Sequence, residues 1–297
     1  MPTKVVSRPY SATPPMANRM LAECLGTAFV MQVGCAGALM TQQAKLNAKI
    51  MAPISGLAVC TAVTALRGTS GAHLNPAVTL AFAANNFRTC AGEELVMQCS
   101  CYIAAQLAGA TMAALLNAAV FAPDIAATQV LLPSLPLGLA TLCEVGVSAL
   151  LAFSIFAIVE GVPHDYVPSA VGTLVTAISM TFSNLGVGLN PAHAVGPRLV
   201  AALSFGGTAF RPEACLYVLG PVLGAVLGGA AYVQGSHHAR ALHERWGKGF
   251  SRLAVQPLRQ PEPRYRSEEG QGNLGSLLLR APTGLSLESA SPLAYAR

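Results

Sequence analysis

Six long runs of this sequence are nearly free of charged residues, and they limit the fold of the chain more than any other feature does. The runs lie at 20–40, 50–66, 95–122, 137–159, 166–184 and 214–234. An apolar helix needs about 20 residues to cross roughly 30 Å of hydrocarbon, so each run is long enough to cross, or nearly cross, a bilayer. The sequence therefore predicts an all-α membrane protein with six transmembrane helices.

The composition agrees with this prediction and excludes several classes of protein. Charged residues make up 10% of the chain and hydrophobic residues 53%, whereas a soluble domain carries about 25% charged residues. The net charge of +5 comes from the terminal segments, with +3 in residues 1–19 and +4 in residues 237–297. A basic excess confined to the tails does not fit a nucleic-acid-binding face, and the eight cysteines lack the spacing of a disulfide framework or metal site. We therefore expect no nucleic-acid partner and no metal.

The positions of the basic residues predict which way the chain crosses the membrane. An even number of spans places both ends on one side, and most of the Lys and Arg residues lie on that side. Cytoplasmic segments carry such an excess, so we expect both termini to be cytoplasmic. The chain then divides into a tail at 1–19, a membrane domain at 20–235 and a tail at 236–297, in the plasma membrane or an intracellular vacuolar membrane.

The membrane domain consists of two copies of one unit. The duplicated motif is Asn75-Pro76-Ala77 and Asn190-Pro191-Ala192, 115 residues apart. Residues 102–110 align with 217–225 at the same separation. Each unit, at about 20–122 and 137–235, holds three spans, an odd number. The second unit is therefore inverted relative to the first, about a pseudo-twofold axis in the membrane plane.

Each Asn-Pro-Ala motif opens an apolar stretch, 76–86 or 191–203, that is too short to cross the membrane. Asparagine is a preferred N-cap residue and proline a preferred first helical residue, so each motif predicts the start of a half-helix. The inverted repeat brings the two helix starts together near the midplane, where about half a positive charge on each repels cations. Irregular backbone at this depth is tolerated only beside a water-filled cavity. We expect a pore in which Asn75 and Asn190 donate hydrogen bonds to passing water.

These features together resemble the aquaporin, or major intrinsic protein, family. The resemblance rests on Ser70-Gly-Ala-His-Leu-Asn-Pro-Ala-Val-Thr79, Gly188-Leu-Asn-Pro-Ala192, Ala22-Glu-Cys-Leu-Gly-Thr27 and Gly220-Pro221. It implies a right-handed bundle of six transmembrane helices and two half-helices, with a pore in each protomer and usually a homotetramer. The implied function is a passive channel that excludes ions and protons, without enzymatic activity or cofactor. Its solutes would be water and small uncharged molecules such as glycerol, urea, ammonia or peroxide.

The resemblance also identifies a selectivity filter. Members of the family select at four positions, which correspond here to Ser55, Ile178, Val187 and His193. His193 stands where arginine is usual, and Arg198 cannot replace it because it lies about 140° away around the helix. The filter should therefore be wider and less polar than that of a strict water channel, and it should pass larger solutes. Because imidazole titrates near pH 6.5, His193 would either change selectivity in acid or remain a neutral donor throughout.

Three further side chains of the membrane domain are candidates for a role at the loops: Glu23, its counterpart Glu144, and His73. The resemblance implies that the glutamates accept hydrogen bonds from the half-helix loops and that His73 braces its loop. The alternatives are a proton relay through the glutamates, as in a proton-coupled transporter, and a gating role for His73. A structural or junctional membrane protein is a third alternative, which the short outer segment at 123–136 does not favour.

The second tail and the last span carry two other signals. Residues 237–253 have the pattern of a basic amphipathic helix, which would rest on anionic lipid or bind a regulatory partner such as calmodulin. The composition of 255–297 predicts disorder. Gly220, Gly224 and Gly228 recur at four-residue spacing, which indicates close helix packing within the protomer or, alternatively, a contact between protomers.

Overall fold

Eight α-helices hold most of the residues that the structure describes. The computed structural model describes residues 13–43, 50–85, 92–121, 135–182, 185–205 and 212–246. The helices are α1 (Met16–Gln43), α2 (Met51–Ser70), α3 (Pro76–Ala84), α4 (Glu93–Phe121), α5 (Leu137–Gly161), α6 (Val167–Phe182), α7 (Pro191–Phe205) and α8 (Leu216–Trp246). Short 3₁₀ turns at His164–Tyr166 and Pro212–Cys215 precede α6 and α8.

Six of these helices correspond to the predicted spans. Within the described part of the chain, α1, α2, α4, α5 and α8 are long and apolar enough to cross a membrane. The sixth, α6, has 16 residues, which gives it a length of about 24 Å. Two helices extend beyond the predicted apolar runs, because α1 begins at Met16 and α8 continues past residue 235 to Trp246. A charged residue ends an apolar run in the sequence, but the α-helix can continue past it.

The two short helices, α3 and α7, begin at the prolines of the repeated motif. Asn75 has an extended backbone at the N-cap of α3, and its side chain accepts a hydrogen bond from the Ala77 backbone N–H at 2.9 Å. The Asn190 side chain accepts one from the Ala192 N–H at 3.0 Å in the same way. The prediction of two half-helix starts is confirmed by this capping geometry.

The helices pack in two equivalent sets. Helix α1 packs on α4 and α5 packs on α8, while each half-helix packs on the third long helix of the other unit, α3 on α8 and α7 on α4. Glycine permits the closest of these contacts. A Cβ added to Gly109 of α4 would meet the carbonyl group of Cys24 in α1, 3.0 Å from its carbon, and one added to Gly224 of α8 would meet that of Val145 in α5, 2.9 Å from its carbon.

The glycines at four-residue spacing in α8 all face α5. A Cβ added to Gly220 would lie 2.8 Å from Glu144, and one added to Gly228 would lie 2.7 Å from Ala149. These contacts, with that of Gly224, confirm the first of the two interpretations, which is close packing within the protomer.

The contact between α2 and α6 lies on the pseudo-twofold axis. A Cβ added to Gly172 would meet the carbonyl oxygen of Gly56 at 2.7 Å, and one added to Gly56 would meet the carbonyl oxygen of Gly172. The two glycines are 116 residues apart. A contact in which each partner meets its own equivalent is the signature of twofold symmetry, so the two units are related as the repeat predicts.

Several predictions concern segments beyond the described residues. Most of the tail at 1–19, most of the outer segment at 123–136 and all of 255–297 lie there. The amphipathic segment 237–253 is described as far as Trp246, where it is the helical end of α8.

Candidate pore

A cavity of about 280 Å³ runs between the helices, and both motif asparagines lie in its wall. Helices α1, α2, α5 and α6, the two half-helices and the two loops before them all contribute wall residues. No described residue of α4 or α8 does so, because these helices support the half-helices from behind. The cavity is therefore the lumen that the two irregular loops predict.

The two asparagines bind each other's loops across the centre of the cavity. The Nδ2 of Asn75 donates to the carbonyl oxygen of Leu189 at 2.9 Å, and the Nδ2 of Asn190 donates to that of Leu74 at 2.9 Å. Each side-chain oxygen accepts from its own half-helix, so the amide nitrogen must be the group that faces the opposite loop. An amide nitrogen carries two hydrogens, and the second one on each asparagine is available to a molecule in the cavity.

The loops before the half-helices adopt backbone conformations that side chains rarely take. Ala72, Leu74 and Leu189 have φ values of 52°, 53° and 60°, in the left-handed region that costs about 1–2 kcal/mol for a residue with a Cβ. Such residues persist only where the surroundings hold them. In this protein the two buried glutamates supply those contacts.

Glu23 of α1 holds the first loop. It is fully buried, and its carboxylate accepts hydrogen bonds from the backbone N–H groups of His73 at 2.9 Å and Leu74 at 2.7 Å. The Ser70 hydroxyl donates to it at 2.6 Å and the Gln106 amide at 2.8 Å. The four donors satisfy both carboxylate oxygens, an arrangement that fits the predicted loop support.

Glu144 of α5 holds the second loop in the equivalent way. Its carboxylate accepts from the backbone N–H groups of Gly188 at 2.8 Å and Leu189 at 2.6 Å, and it is 1% exposed. Neither Glu23 nor Glu144 is among the described residues of the cavity wall. Their positions behind the loops give no support to a proton relay along the lumen.

His73 lies in the cavity wall with its ring held on three sides. Its Nδ1 is 3.2 Å from the Thr79 hydroxyl, and the ring lies 4.8 Å from that of Phe82 and 5.3 Å from that of Tyr102. The Thr79 hydroxyl also donates to the carbonyl oxygen of Asn75 at 3.1 Å, which ties the histidine ring to the start of α3. These contacts fit a residue that braces its loop.

All four positions of the predicted filter lie in the cavity wall, on helices α2, α6 and α7 and on the second loop: Ser55, Ile178, Val187 and His193. The Nε2 atom of His193 has no hydrogen-bond partner among the residues that the structure describes. Arg198 lies outside this wall, donates to the carbonyl oxygen of Ala194 at 2.8 Å and stacks 5.3 Å from the centre of the Tyr217 ring. It does not take the place of the missing filter arginine.

The wall positions occur in pairs that the inverted repeat relates. In α2 and α6 they are 116 residues apart, and in the loops and half-helices they are 115 apart. The pairs are Ser55 and Val171, Val59 and Val175, Val63 and Ser179, Ala72 and Val187, His73 and Gly188, Leu74 and Leu189, Asn75 and Asn190, and Val78 and His193. The pseudo-twofold axis therefore passes through the middle of the cavity.

Sequence reasoning missed two contributors to this site. Ser179 lies in the wall beside Ile178, and its four-residue spacing from positions 171 and 175 in α6 could have identified it. Gln106 of α4 donates to Glu23 and, at 3.1 Å, to the Thr79 hydroxyl. No local pattern marks Gln106, because its partners are on two other helices.

Comparisons with known proteins agree with this geometry. The model of the family described as major intrinsic protein matches residues 11–232. The chain is 33% identical over 229 residues to the aquaporin NIP1-1 of Zea mays, covering 73% of this chain and 74% of that protein. It is 32% identical over 254 residues to the glycerol uptake facilitator protein of Pseudomonas aeruginosa, covering 74% and 89%.

The same fold occurs among solved structures. The X-ray structure of the aquaglyceroporin from Plasmodium falciparum superposes with a TM-score of 0.68 at 23% sequence identity, covering 77% of this chain and all of that chain. The bundle of long helices with two half-helices is thus a fold that known proteins share.

Proposed function

This chain belongs to the major intrinsic protein family, and on that premise we propose that it is a passive channel for water and small uncharged solutes such as glycerol. It is a multi-pass membrane protein. Solute moves down its own gradient, and no chemical step is required. The observation that carries the proposal is the reciprocal pair of hydrogen bonds between Asn75 and Asn190 and each other's loops, inside a cavity between the helices.

The asparagine pair accounts for the exclusion of ions and protons. Two half-helix starts meet at this point, and their positive ends repel cations. The free amide hydrogens bind the oxygen of a passing water molecule, which then cannot accept a proton from its neighbour. The described cavity wall contains no Lys, Arg, Asp or Glu side chain, so a neutral solute meets no fixed charge.

The solute range follows from the filter. Ser55, Ile178, Val187 and His193 act together as the selecting positions, and the smaller, uncharged side chain of His193 replaces an arginine among them. A solute with hydroxyl or amide groups and a short carbon chain fits a wall of this mixed character. We therefore include glycerol and urea, with ammonia and peroxide as smaller candidates. The name of the bacterial relative supports glycerol.

Stopped-flow light scattering on purified protein in liposomes tests the proposed function. Vesicles are shrunk with an impermeant osmolyte to measure water flux and then reswollen with glycerol or urea to measure solute entry. We expect water flux well above that of protein-free liposomes, with a low activation energy, and measurable glycerol entry. Water flux equal to that of bare lipid would contradict the channel. Accumulation of solute driven by a pH gradient would instead favour a proton-coupled transporter.

The orientation and assembly of the channel are part of the proposal. Both termini are cytoplasmic, since the basic residues lie on their side, and the filter then faces the opposite side. Three leucines recur at four-residue spacing on α8, and each is more than half exposed: Leu219, Leu223 and Leu227. Such side chains face either lipid or a neighbouring protomer. A homotetramer would cover part of that surface. Protease protection of epitope tags at the two ends, and the mass of the detergent-solubilised complex, test these two statements.

The segment 237–253 contacts the membrane surface in this proposal. Its basic and apolar residues would lie on anionic headgroups. Calmodulin binding is the alternative. Titration of the purified channel with calcium-loaded calmodulin, and with liposomes that contain or lack phosphatidylserine, separates the two.

A further inference from the structure

The two halves of the cavity differ in side-chain polarity although the inverted repeat gives them matching wall positions. Three wall positions on one side of the asparagines are polar and form what we call the polar ring: Ser55, Ser179 and His193. The positions that the inverted repeat relates to them are all valine and form what we call the valine ring: Val171, Val63 and Val78. A twofold relation places the two rings at equal distances from the asparagines on opposite sides. All three pairs change in the same direction, from polar to apolar.

Close packing holds the valine ring in the wall. Val63 belongs to a buried cluster with Val30 and Leu74, and Val78 belongs to one with Phe82. The most exposed valine of the ring is Val171, at 8%. Because valine has one strongly preferred rotamer in a helix, these side chains do not turn away from the lumen.

Water finds fewer hydrogen-bond partners at the valine ring than at the polar ring. On the valine side, the polar wall groups are the loop backbone and His73, whose Nδ1 is engaged with Thr79. On the other side, a loop of the same kind is joined by the hydroxyl groups of Ser55 and Ser179. A water molecule at the valine ring can therefore form hydrogen bonds with the loop side of the wall only.

We propose that the valine ring, and not the polar ring, sets the rate at which water crosses this channel. The inference rests on the proposed function, since it concerns a conducting pore. A polar molecule that loses hydrogen bonds in an apolar surrounding is destabilised. Val63, Val78 and Val171 thereby determine the water permeability, while the filter positions discriminate between solutes.

The experiment adds hydroxyl groups to the valine ring with little change of shape. The double variant Val63→Thr/Val171→Thr is compared with the wild type in phosphatidylcholine liposomes, with the amount of inserted protein measured for each sample. Stopped-flow scattering gives the water permeability per protein at several temperatures and the glycerol permeability of the same vesicles. The matched control is Val200→Thr, because Val200 is 2% exposed and packs on Ala114 outside the cavity wall.

We expect the water permeability of the double variant to rise by about threefold or more, within the range that one added hydrogen bond provides. Its activation energy should fall, and its ratio of glycerol to water permeability should fall too. Val200→Thr should not raise the water permeability. If the double variant is not recovered as folded protein, Val171→Thr alone carries the same prediction with a smaller rise.

Two results would overturn the inference, and they have different meanings. If the wild type conducts water and neither valine-ring variant exceeds it, the barrier lies elsewhere and the proposed function still stands. If the wild type conducts water no faster than bare lipid, the proposed function fails and the inference fails with it.

Discussion

At the scale of single residues, His193 has the largest expected effect on the choice of solute. Its side chain lies in the wall where an arginine would place a fixed charge and a larger group. We expect His193→Arg to lower glycerol permeability by about tenfold, equivalent to 1.4 kcal/mol, while water permeability falls much less. His193→Gln is the control, since it keeps a neutral polar side chain, and its glycerol flux should stay near that of the wild type. Equal loss of glycerol flux in both variants would contradict the filter assignment.

The same two variants report on acid sensitivity. Water and glycerol flux are compared between pH 5 and pH 8, the range in which imidazole changes charge. A response of the wild type that His193→Gln abolishes would assign the titration to this residue, whereas a response that persists would exclude it.

Glu144 is the second residue whose role a substitution can decide. Its two oxygens accept the N–H groups of Gly188 and Leu189, and glutamine at this position would turn one acceptor into a donor that faces an N–H group. We expect Glu144→Gln to cost about 1–3 kcal/mol in stability and to lower water flux, because the second loop loses its support. Thermal unfolding in detergent and stopped-flow flux measure the two effects. A variant with normal stability and water flux but altered proton movement would favour the relay instead.

At the scale of elements, the packing of α8 on α5 depends on glycine. A methyl group at Gly224 would press on Ser148 and on the backbone of Val145, and overpacking of this kind costs about 1–3 kcal/mol. We expect Gly224→Ala to lower the thermal midpoint of the detergent-solubilised protein. Gly146 of α5 is the matched control, because nothing lies within 4 Å of a Cβ added there, and Gly146→Ala should be neutral or slightly stabilising. Similar losses in the two variants would show that the helix contact is not the cause.

At the scale of the whole molecule, the inverted repeat supplies the described wall of the lumen. The described wall residues lie between Val30 and His193, within the compact unit that ends at Gly247. We expect removal of residues 248–297 to leave the water permeability per protein unchanged. Loss of flux from a truncated protein that is still folded and inserted would mean that the tail takes part in conduction. The full chain in the same liposomes is the control.

Much of the fold could be predicted from the sequence, because its determinants are local. Length and hydropathy set the spans, and the Asn-Pro pairs set the starts of α3 and α7, since capping and the missing proline N–H act within a few residues. The 115-residue repeat with three spans per unit then requires the inversion. The helix ends were less predictable, as the early start of α1 and the long α8 illustrate.

Some residues of the site could be predicted from the sequence, and others are identified only by the tertiary structure. The motif asparagines are marked by their neighbours in the chain, whereas the filter positions and the role of the glutamates were predicted from the resemblance to the family. The crossing of the Asn75 and Asn190 amides, the donation of Gln106 to Glu23 and the inclusion of Ser179 in the wall join segments far apart in sequence. Only the packing of the helices decides these contacts, because the rotation of each helix about its axis depends on its partners. For the same reason, the opposition of a polar ring to a valine ring is a property of the tertiary structure.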